Sequence, residues 1–500
     1  MESFEGLLSG FTVAMTWQNL LYCLVGVTVG QLVGVLPGIG PTTATAKLIP
    51  LTYGMSPVSA IIMLSGIYYG GMYGGTITSV LINTPGEAAS VITCLDGHEM
   101  AKQGRAGVAL GIAAVGSFVG GIASIIGLAL IGPPLAEFAL RFGPTEMFSL
   151  MLFGLTMVVG LMGTSIVRGL VAMFIGLSLS IIGMDPVSGV MRYTFGQPFL
   201  IEGLDLVTVS MGLFGLSEIF LGMENLMAVG KPEKLTSLFP NKDEIRPASL
   251  AIFRGTGLGF LIGLIPGTSS AVPALISYSL EKKLSKNPER FGKGAIEGVA
   301  GPETANNSYC GGAMIPLLTL GIPSSPTIAI LLGAFIMHGL TPGPVLFTQD
   351  PTFVWGVIAS MFIGNAILLI MNLPMAGWWA KIAMVPAKLL YPIVLIICTI
   401  GAYTVSNDLW DVGVMLVFGV LGYVMKKIDI PMAPIVLTYV LSSMMEKALL
   451  QSVKMNNGSL IGLVQSPISL IMLILAVIVL ISSVLAEIKN KKLALAGEVD

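Results

Sequence analysis

Two short stretches of polar and helix-breaking residues interrupt otherwise apolar sequence, at 83–87 and at 321–325. Proline removes a backbone donor and glycine permits left-handed torsions, so a helix that reaches either stretch leaves amides and carbonyls unpaired. Amides at helix N-termini favour anions, whereas unwound carbonyls with Asn and Thr oxygens suit a hard cation such as sodium. Helix capping without a ligand is the alternative interpretation. The residues predicted to bind a solute here are Asn83, Thr84, Pro85, Gly86, Gly321, Pro323, Ser324 and Ser325.

A third polar stretch, 298–308, gathers amide, hydroxyl and carboxylate groups inside apolar sequence. We interpret Asn306, Asn307 and Ser308 as further solute-binding residues. Glu303 and Glu297 are the acids most favoured for burial, where each needs a partner cation, a hydrogen-bond network or a proton. The alternative places both acids at the membrane interface, beside the basic residues of 282–293.

Composition identifies the kind of molecule that holds these stretches. Of the 500 residues, 54% are hydrophobic and only 10% are charged, far from the usual surface of a soluble domain. Apolar runs such as 107–131, 353–373 and 460–485 are long enough to cross a bilayer at roughly twenty residues per helix. The sequence therefore predicts an all-α polytopic membrane protein with about 10–12 transmembrane helices. A formal net charge of -2 gives no basic surface for nucleic acid.

Enzymatic chemistry has little support in the sequence. The two histidines, His98 and His338, are far apart, and no Ser-His, Asp-Asp or His-Glu constellation accompanies them. The four cysteines lack metal-ligand spacing, and no phosphate-binding GxxxxGK[ST] loop is present. We predict that the protein is not an enzyme, that it needs no cofactor, and that its only metal is a possible sodium ion.

Basic residues predict the orientation in the membrane. They cluster in the loops 231–246 and 282–293 and near the C-terminus at 489–492, which should therefore be cytoplasmic. The stretch 249–280 between the first two clusters is too short for two full spans, which take about forty residues. A hairpin that turns within the membrane at 263–268 fits better, and a kinked or tilted pair of helices is the alternative.

An internal repeat organises the chain. Gly34-Val-Leu-Pro-Gly38 matches Gly263-Leu-Ile-Pro-Gly267, and the break at 83–86 matches the break at 321–324. Lys102 and Arg105 follow the first copy, whereas the matching stretch 337–344 has no Lys or Arg, so the copies are predicted to be inverted. Paired broken segments of inverted orientation are typical of secondary transporters with a site near the midplane. We assign 1–225 to an N-terminal membrane half with the first repeat at about 26–131, 226–249 to a cytoplasmic linker loop, 250–376 to the second repeat, and 377–500 to C-terminal transmembrane helices and a cytoplasmic tail.

Four motifs together resemble the large membrane subunit of the tripartite tricarboxylate transporter family, and the resemblance extends over almost the whole chain. The motifs are Gly34-Val-Leu-Pro-Gly-Ile-Gly40, Tyr68-Tyr-Gly-Gly-Met-Tyr-Gly-Gly-Thr76 with Ile82-Asn-Thr-Pro-Gly86, Gly301-Pro-Glu-Thr-Ala-Asn-Asn307, and His338-Gly-Leu-Thr-Pro-Gly-Pro344.

The resemblance implies ion-gradient-driven uptake of a di- or tricarboxylate, such as citrate, across the bacterial inner membrane. It also implies two partners, a small four-span membrane subunit and a periplasmic solute-binding protein. Sodium or protons would offset the substrate charge at oxygen-rich positions of the breaks. The residues predicted to couple this ion are Gly38, Thr42, Glu87, Gly267, Thr268 and Glu303. Sodium and proton coupling, and elevator and rocking motions, stay open alternatives.

A channel or a single-component carrier is the rival function. A channel would also contain broken helices, but it should have a continuous polar pore lining and would not need a delivery protein.

Overall fold

The computed structural model describes residues 2–36, 40–161, 165–185, 189–224, 237–382 and 387–495. Most of these residues are helical. Within these ranges the only strands are β1 (Gly183–Met184) and β2 (Met191–Arg192), which pair antiparallel with Gly183 opposite Arg192. The predicted all-α class is confirmed.

The helices of the N-terminal half include one long continuous helix, Leu206–Glu224, that contains a π-helical stretch at Met211–Leu216. They are α1 (Glu2–Ala14), α2 (Trp17–Val35), α3 (Gly40–Leu48), α4 (Pro57–Ile82), α5 (Thr93–Lys102), α6 (Ala106–Ala139), α7 (Pro144–Leu161), α8 (Ile166–Ser180), α9 (Leu206–Ser210) and α10 (Ser217–Glu224). Short 3-10 turns occur at Ile49–Thr52, Ala88–Val91 and Pro198–Leu200.

The C-terminal half begins with two helices that flank a turn. Its helices are α11 (Lys242–Gly263), α12 (Ala271–Leu284), α13 (Glu297–Leu320), α14 (Pro326–Met337), α15 (Leu346–Gln349), α16 (Pro351–Asn372), α17 (Ala376–Ile382), α18 (Ala387–Ser406), α19 (Leu409–Lys427), α20 (Ala433–Met455), α21 (Gly462–Gln465) and α22 (Pro467–Leu495), with a 3-10 turn at Pro288–Arg290.

Helix length and apolar composition agree with a polytopic membrane protein. In the described part of the chain, seven helices are long and apolar enough to cross a bilayer, and four shorter apolar helices accompany them. The last span, Pro467–Leu485, is only 11% buried, as expected for a helix that faces lipid. The total of ten to twelve spans stays a prediction.

Two helices form the centre of the molecule. Every residue of α4 from Ser59 to Leu81 is buried, and so is every residue of α13 from Glu297 to Thr319. Helix α6 packs against α13, and α16 packs against both α6 and α4. Since α4 and α13 each end at one of the predicted breaks, both breaks start from the interior of the protein.

Glycines allow two helix pairs to approach closely. Helix α2 packs along α4, and α11 packs along α13. A Cβ added to Gly30 would lie 2.5 Å from the carbonyl oxygen of Ile67, and one added to Gly259 would lie 2.1 Å from that of Ala305. Backbones approach this closely in membrane proteins where small residues recur every fourth position. The contact glycines recur in this way in both helices, at Gly26, Gly30 and Gly34 in α2 and at Gly255, Gly259 and Gly263 in α11.

This common spacing is in register with the sequence match of Gly34 to Gly263, as the predicted repeat requires. The repeat itself and the opposite membrane orientation of its two copies stay predictions. Helices α11 and α12 contact each other and enclose a turn at 264–270, where the sequence predicts a hairpin. Residues 226–236 of the predicted linker 226–249 lie outside the described residues. The last residues of this linker, 242–249, belong to α11.

The glycine contacts give a stability prediction. We expect Gly259→Ala to lower the free energy of unfolding by about 1–3 kcal/mol, because the new methyl group would press on the backbone of α13. Gly257→Ala is the matched control, since nothing lies within 4 Å of its added Cβ. This control should raise helix stability by about 0.5–1 kcal/mol. Denaturant unfolding in detergent micelles measures both changes, and equal effects of the two substitutions would contradict the proposed contact.

Candidate functional site

Four breaks in the helices meet at one cavity of about 400 Å³. The residues that line it come from the start of α3, from the stretch after α4, from the turn before α12 and from the start of α14. Both sequence motifs at the predicted breaks therefore reach the same space, together with the starts of α3 and α12, which follow the two segments that the predicted repeat relates. The other walls come from α4, α13 and the long helix formed by α9 and α10.

The first break leads into α3. Gly40 has a φ of +58°, a left-handed torsion that favours glycine, and it starts the helix at the cavity. Thr42 lies in the first turn of α3, and its Oγ1 lies 2.7 Å from Oγ1 of Thr327 in α14. Thr42 therefore lies at the cavity, and its role in ion coupling stays a prediction. Gly38, the other predicted coupling residue in this segment, lies outside the described residues.

The second break separates its predicted residues into two groups. Asn83 ends α4 with a φ of +52°, is exposed and does not line the cavity, and Thr84 donates back to the Ile82 carbonyl oxygen at 3.2 Å. Pro85 and Gly86 do line the cavity. Asn83 and Thr84 therefore have the capping geometry that the sequence offered as the alternative to ligand binding.

Glu87 is a predicted coupling residue that lines the cavity. Its Oε2 accepts from the Ala89 amide at 2.9 Å and so caps the turn at 88–91, while Oε1 accepts from Asn306 Nδ2 at 2.9 Å. The carboxyl group is buried and lines the cavity. It thus joins the break after α4 to the centre of α13.

The third break is held together by Thr268. This hydroxyl donates to the carbonyl oxygens of Ile262 and Ile265 and lies 3.2 Å from the Tyr309 hydroxyl. Gly267 has a φ of +82° and packs against Val158 in α7. Neither predicted coupling residue lines the cavity. The following serines, Ser269 and Ser270, do so at the N-terminus of α12.

The fourth break has a similar division. Gly321 ends α13 with a φ of +70°, and Ser324 donates to the Ala313 carbonyl oxygen at 3.2 Å. Ser325 accepts from the Ile328 amide at 3.3 Å, which makes it the N-cap of α14. Of the four residues predicted here, only Ser325 lines the cavity, and Gly321, Pro323 and Ser324 do not.

A polar layer lies behind the cavity. Glu303 accepts from the Thr76 hydroxyl at 2.6 Å and from the Thr93 hydroxyl, and Asn307 Nδ2 donates to Ser117 Oγ at 2.7 Å. Ser308 donates to the Thr256 carbonyl oxygen at 2.7 Å. None of these three predicted residues lines the cavity, and Asn306 reaches it through Glu87.

The sequence allowed either a buried or an interfacial location for Glu303 and Glu297, and the structure gives the two acids different surroundings. Glu303 is buried among hydroxyls in the interior, while Glu297 lies 3.7 Å from Arg290 of the basic loop.

Charges around the cavity are distributed unevenly. Its lining includes the carboxyl groups of Glu87 and Glu218, and no Lys, Arg or His is among the described lining residues. Glu218 forms an ion pair with Lys426 of α19. Positive potential comes instead from the N-termini of α3, α12 and α14, whose first turns border the cavity. The cavity therefore offers amides and hydroxyls to an anion, and carboxyl, hydroxyl and carbonyl oxygens to a hard cation.

Sequence reasoning did not identify several lining residues, among them Thr327, Glu218, Tyr68 and Tyr309. The side chain of Tyr68 is buried and borders the cavity. Glu218 lies in an apolar run of the sequence that ends near residue 222. Its ionisable side chain was a usable signal, because such residues are rare within membrane helices. Thr327 follows Pro326 at a helix start, which is a weaker signal.

Known proteins match this sequence over nearly its whole length. The sequence model of the tripartite tricarboxylate transporter TctA family matches residues 20–437. A 52.8 kDa protein from the TAR-I region of Agrobacterium vitis, 3′ of ttuC′, is 42% identical over 494 residues and covers 98% of each chain. A protein from the TAR-II region of the same organism, also 3′ of ttuC′, is 44% identical over 234 residues, which are 47% of this chain and 97% of that protein. No solved structure matches this chain significantly. The extent of the family match and of the longer relative shows that this chain belongs to the tripartite tricarboxylate transporter TctA family.

Proposed function

We propose that this chain is the large permease subunit of a tripartite system that takes up a di- or tricarboxylate such as citrate, driven by a cation gradient. The proposal rests on one cavity, at which three helix N-termini and four helix breaks converge. The described lining of this cavity contains carboxyl groups but no basic side chain. Family membership supports transport, and the cavity supports the class of solute and the need for a cation.

The cavity suits a small anion. Its volume of about 400 Å³ lies in the range of small-molecule sites, about 300–1,000 Å³. Hydroxyl groups of Thr42, Ser270, Ser325 and Thr327 border it beside the first turns of α3, α12 and α14. Several separated donors suit a solute with several carboxylates better than one with a single charge.

The same lining explains why a cation should travel with the substrate. A carboxylate that enters beside Glu87 meets a like charge in a site of low dielectric, whereas Glu218 is already paired with Lys426. A sodium ion or proton at these oxygen-rich positions removes the repulsion, so the loaded and empty sites differ in electrostatic cost. Uptake is therefore coupled to the gradient of that cation, which is either sodium or a proton.

Partners and location follow from the family. The name of the family describes a tripartite transporter. We propose a small four-span membrane subunit and a periplasmic solute-binding protein as the other two parts, with the complex in the bacterial inner membrane. The binding protein delivers the carboxylate to the side opposite the basic loops at 242–246 and 282–293.

Reconstituted transport tests the function. We expect proteoliposomes that hold this chain with its small subunit and loaded binding protein to accumulate labelled citrate or a dicarboxylate when a sodium or proton gradient is imposed. Applying each gradient alone identifies the coupling cation. Equilibration without accumulation would instead show a channel, and accumulation without the binding protein would show a single-component carrier.

A further inference from the structure

A second cavity, of about 420 Å³, lies where α11, α12 and the start of α13 meet the basic loops. It shares no lining residue with the central cavity. Four of its lining residues are basic, namely Arg246, Arg254, Lys286 and Arg290, and two are acidic, Glu281 and Glu297. The basic groups therefore outnumber the acidic ones.

The ion pairs show which basic groups are uncompensated. Arg254 Nε donates to Glu281 Oε1 at 2.7 Å, and its Nη2 contacts the other carboxylate oxygen. Arg290 lies 3.7 Å from the Glu297 carboxylate. In the part of the chain that the structure describes, no acidic side chain forms an ion pair with Arg246 or Lys286. Two cations at the same cavity thus lack a counter-charge.

An apolar stripe continues from this cavity along α11. Leu250 and Leu284 line the cavity and are exposed, and Phe253 beside them is 78% exposed. One turn further, nothing lies within 4 Å of a Cβ added to Gly257, and Leu261 beyond it is 62% exposed. Because Leu250, Phe253, Gly257 and Leu261 recur at helical spacing, they lie on one face. Their face is apolar, open and directly adjacent to uncompensated cations.

We propose that this cavity binds the phosphate headgroup of an anionic phospholipid, with an acyl chain along the exposed face of α11. Phosphate oxygens accept from Arg246 and Lys286, and the apolar stripe accounts for the hydrocarbon part of the ligand. A free phosphate or a soluble carboxylate would use the basic groups and leave the stripe without a role. The basic loops are predicted to be cytoplasmic, where anionic lipid headgroups attract clustered Lys and Arg. The lipid would hold both ends of the α11–α12 hairpin at the membrane surface.

Native mass spectrometry of the purified full-length protein tests the site. We expect the wild type to retain phosphatidylglycerol in preference to phosphatidylcholine during delipidation. Combining Arg246→Gln with Lys286→Gln should weaken phosphatidylglycerol binding about thirtyfold, because each cation near an anionic headgroup contributes about a factor of five. Arg254 and Arg290 are left intact, so that no buried carboxylate loses its partner.

The matched control combines Lys282→Gln with Lys283→Gln, which removes the same charge from exposed positions outside the cavity. Equal loss of lipid in both double variants would overturn the site and leave only general surface charge. No preference for phosphatidylglycerol in the wild type would also overturn it, whether or not the variants fold. Competition with inorganic phosphate and glycerol 3-phosphate separates the sources, since displacement of the lipid by either would show a soluble anion as the ligand.

Discussion

Glu87→Gln is expected to reduce gradient-driven accumulation about fiftyfold at a membrane potential of about 100 mV, while exchange of labelled for unlabelled substrate continues. Each elementary charge that crosses such a potential carries about 2.3 kcal/mol, and losing one coupled cation removes that contribution. Glu87 is the buried carboxyl group at the cavity that also caps the turn after the second break. A glutamine there is permanently neutral and binds neither a proton nor a sodium ion as the carboxylate does.

The surroundings of Glu87 should tolerate this change. The side-chain oxygen of a glutamine can still accept from the Ala89 amide, as Glu87 Oε2 does at 2.9 Å. Asn306 donates to the other oxygen through Nδ2, and its own Oδ1 is buried without a partner in the described structure. Rotation of the Asn306 amide would place Oδ1 against the new NH2 group, so the hydrogen bond is kept with its direction reversed.

Comparison of net uptake with exchange in proteoliposomes distinguishes coupling from folding. Glu99→Gln serves as the control, because it removes an equal charge from an exposed position of α5, where Glu99 pairs with Lys102. That variant should accumulate substrate as the wild type does. Unchanged accumulation by Glu87→Gln would remove Glu87 from the coupling mechanism, and loss of exchange as well would indicate a structural role.

Oxidation of a Thr42→Cys, Thr327→Cys double variant is expected to lower uptake at least about tenfold, with recovery after reduction. The two hydroxyl oxygens lie 2.7 Å apart at the cavity, so the new thiols would be close enough to be joined after small adjustments. A bridge would fix the start of α3 to the start of α14, which come from different predicted repeats. In the proposed transport cycle the substrate enters and leaves between the breaks, so this rim has to open.

The control for this experiment is a Thr145→Cys, Ser452→Cys pair. Their hydroxyl oxygens lie 2.8 Å apart between α7 and α20, and neither residue lines the cavity. Oxidant should therefore leave uptake by the control pair unchanged, and the wild type, with its four native cysteines, gives the background. Full uptake by the oxidised Thr42→Cys, Thr327→Cys variant, with the disulfide shown by mass spectrometry, would rule out opening at this rim.

Several features of the site could be predicted from local sequence. Asn83 and Gly321 end α4 and α13 with positive φ angles, and α11 stops at Gly263 before a turn at the predicted hairpin position. Proline and glycine act on the backbone within one or two residues, so their effect does not depend on the rest of the fold. The membrane class is equally local, because a span is a property of some twenty consecutive side chains.

Which side chains of each break face the cavity could not be predicted in this way. Asn83 and Thr84 cap the end of α4, whereas Thr327 and Ser270, which the sequence did not single out, border the cavity. The chain direction after each break sets this difference, and that direction depends on packing with other helices. Gly86 shows the dependence, because a Cβ there would lie 2.0 Å from the carbonyl oxygen of Gly34 in α2.

The sequence by itself determined an all-α membrane protein, the positions of its helix breaks and the motifs that place it in its family. Those properties reside in runs of neighbouring residues, where hydrophobicity and backbone torsion act locally. Only the tertiary structure decided that four breaks share one cavity, that Glu218 and Glu87 both line it, and that Glu303 accepts hydrogen bonds from hydroxyls away from it. Such pairings join residues from about forty to more than two hundred positions apart, and they depend on how glycine-lined helices pack rather than on any local pattern.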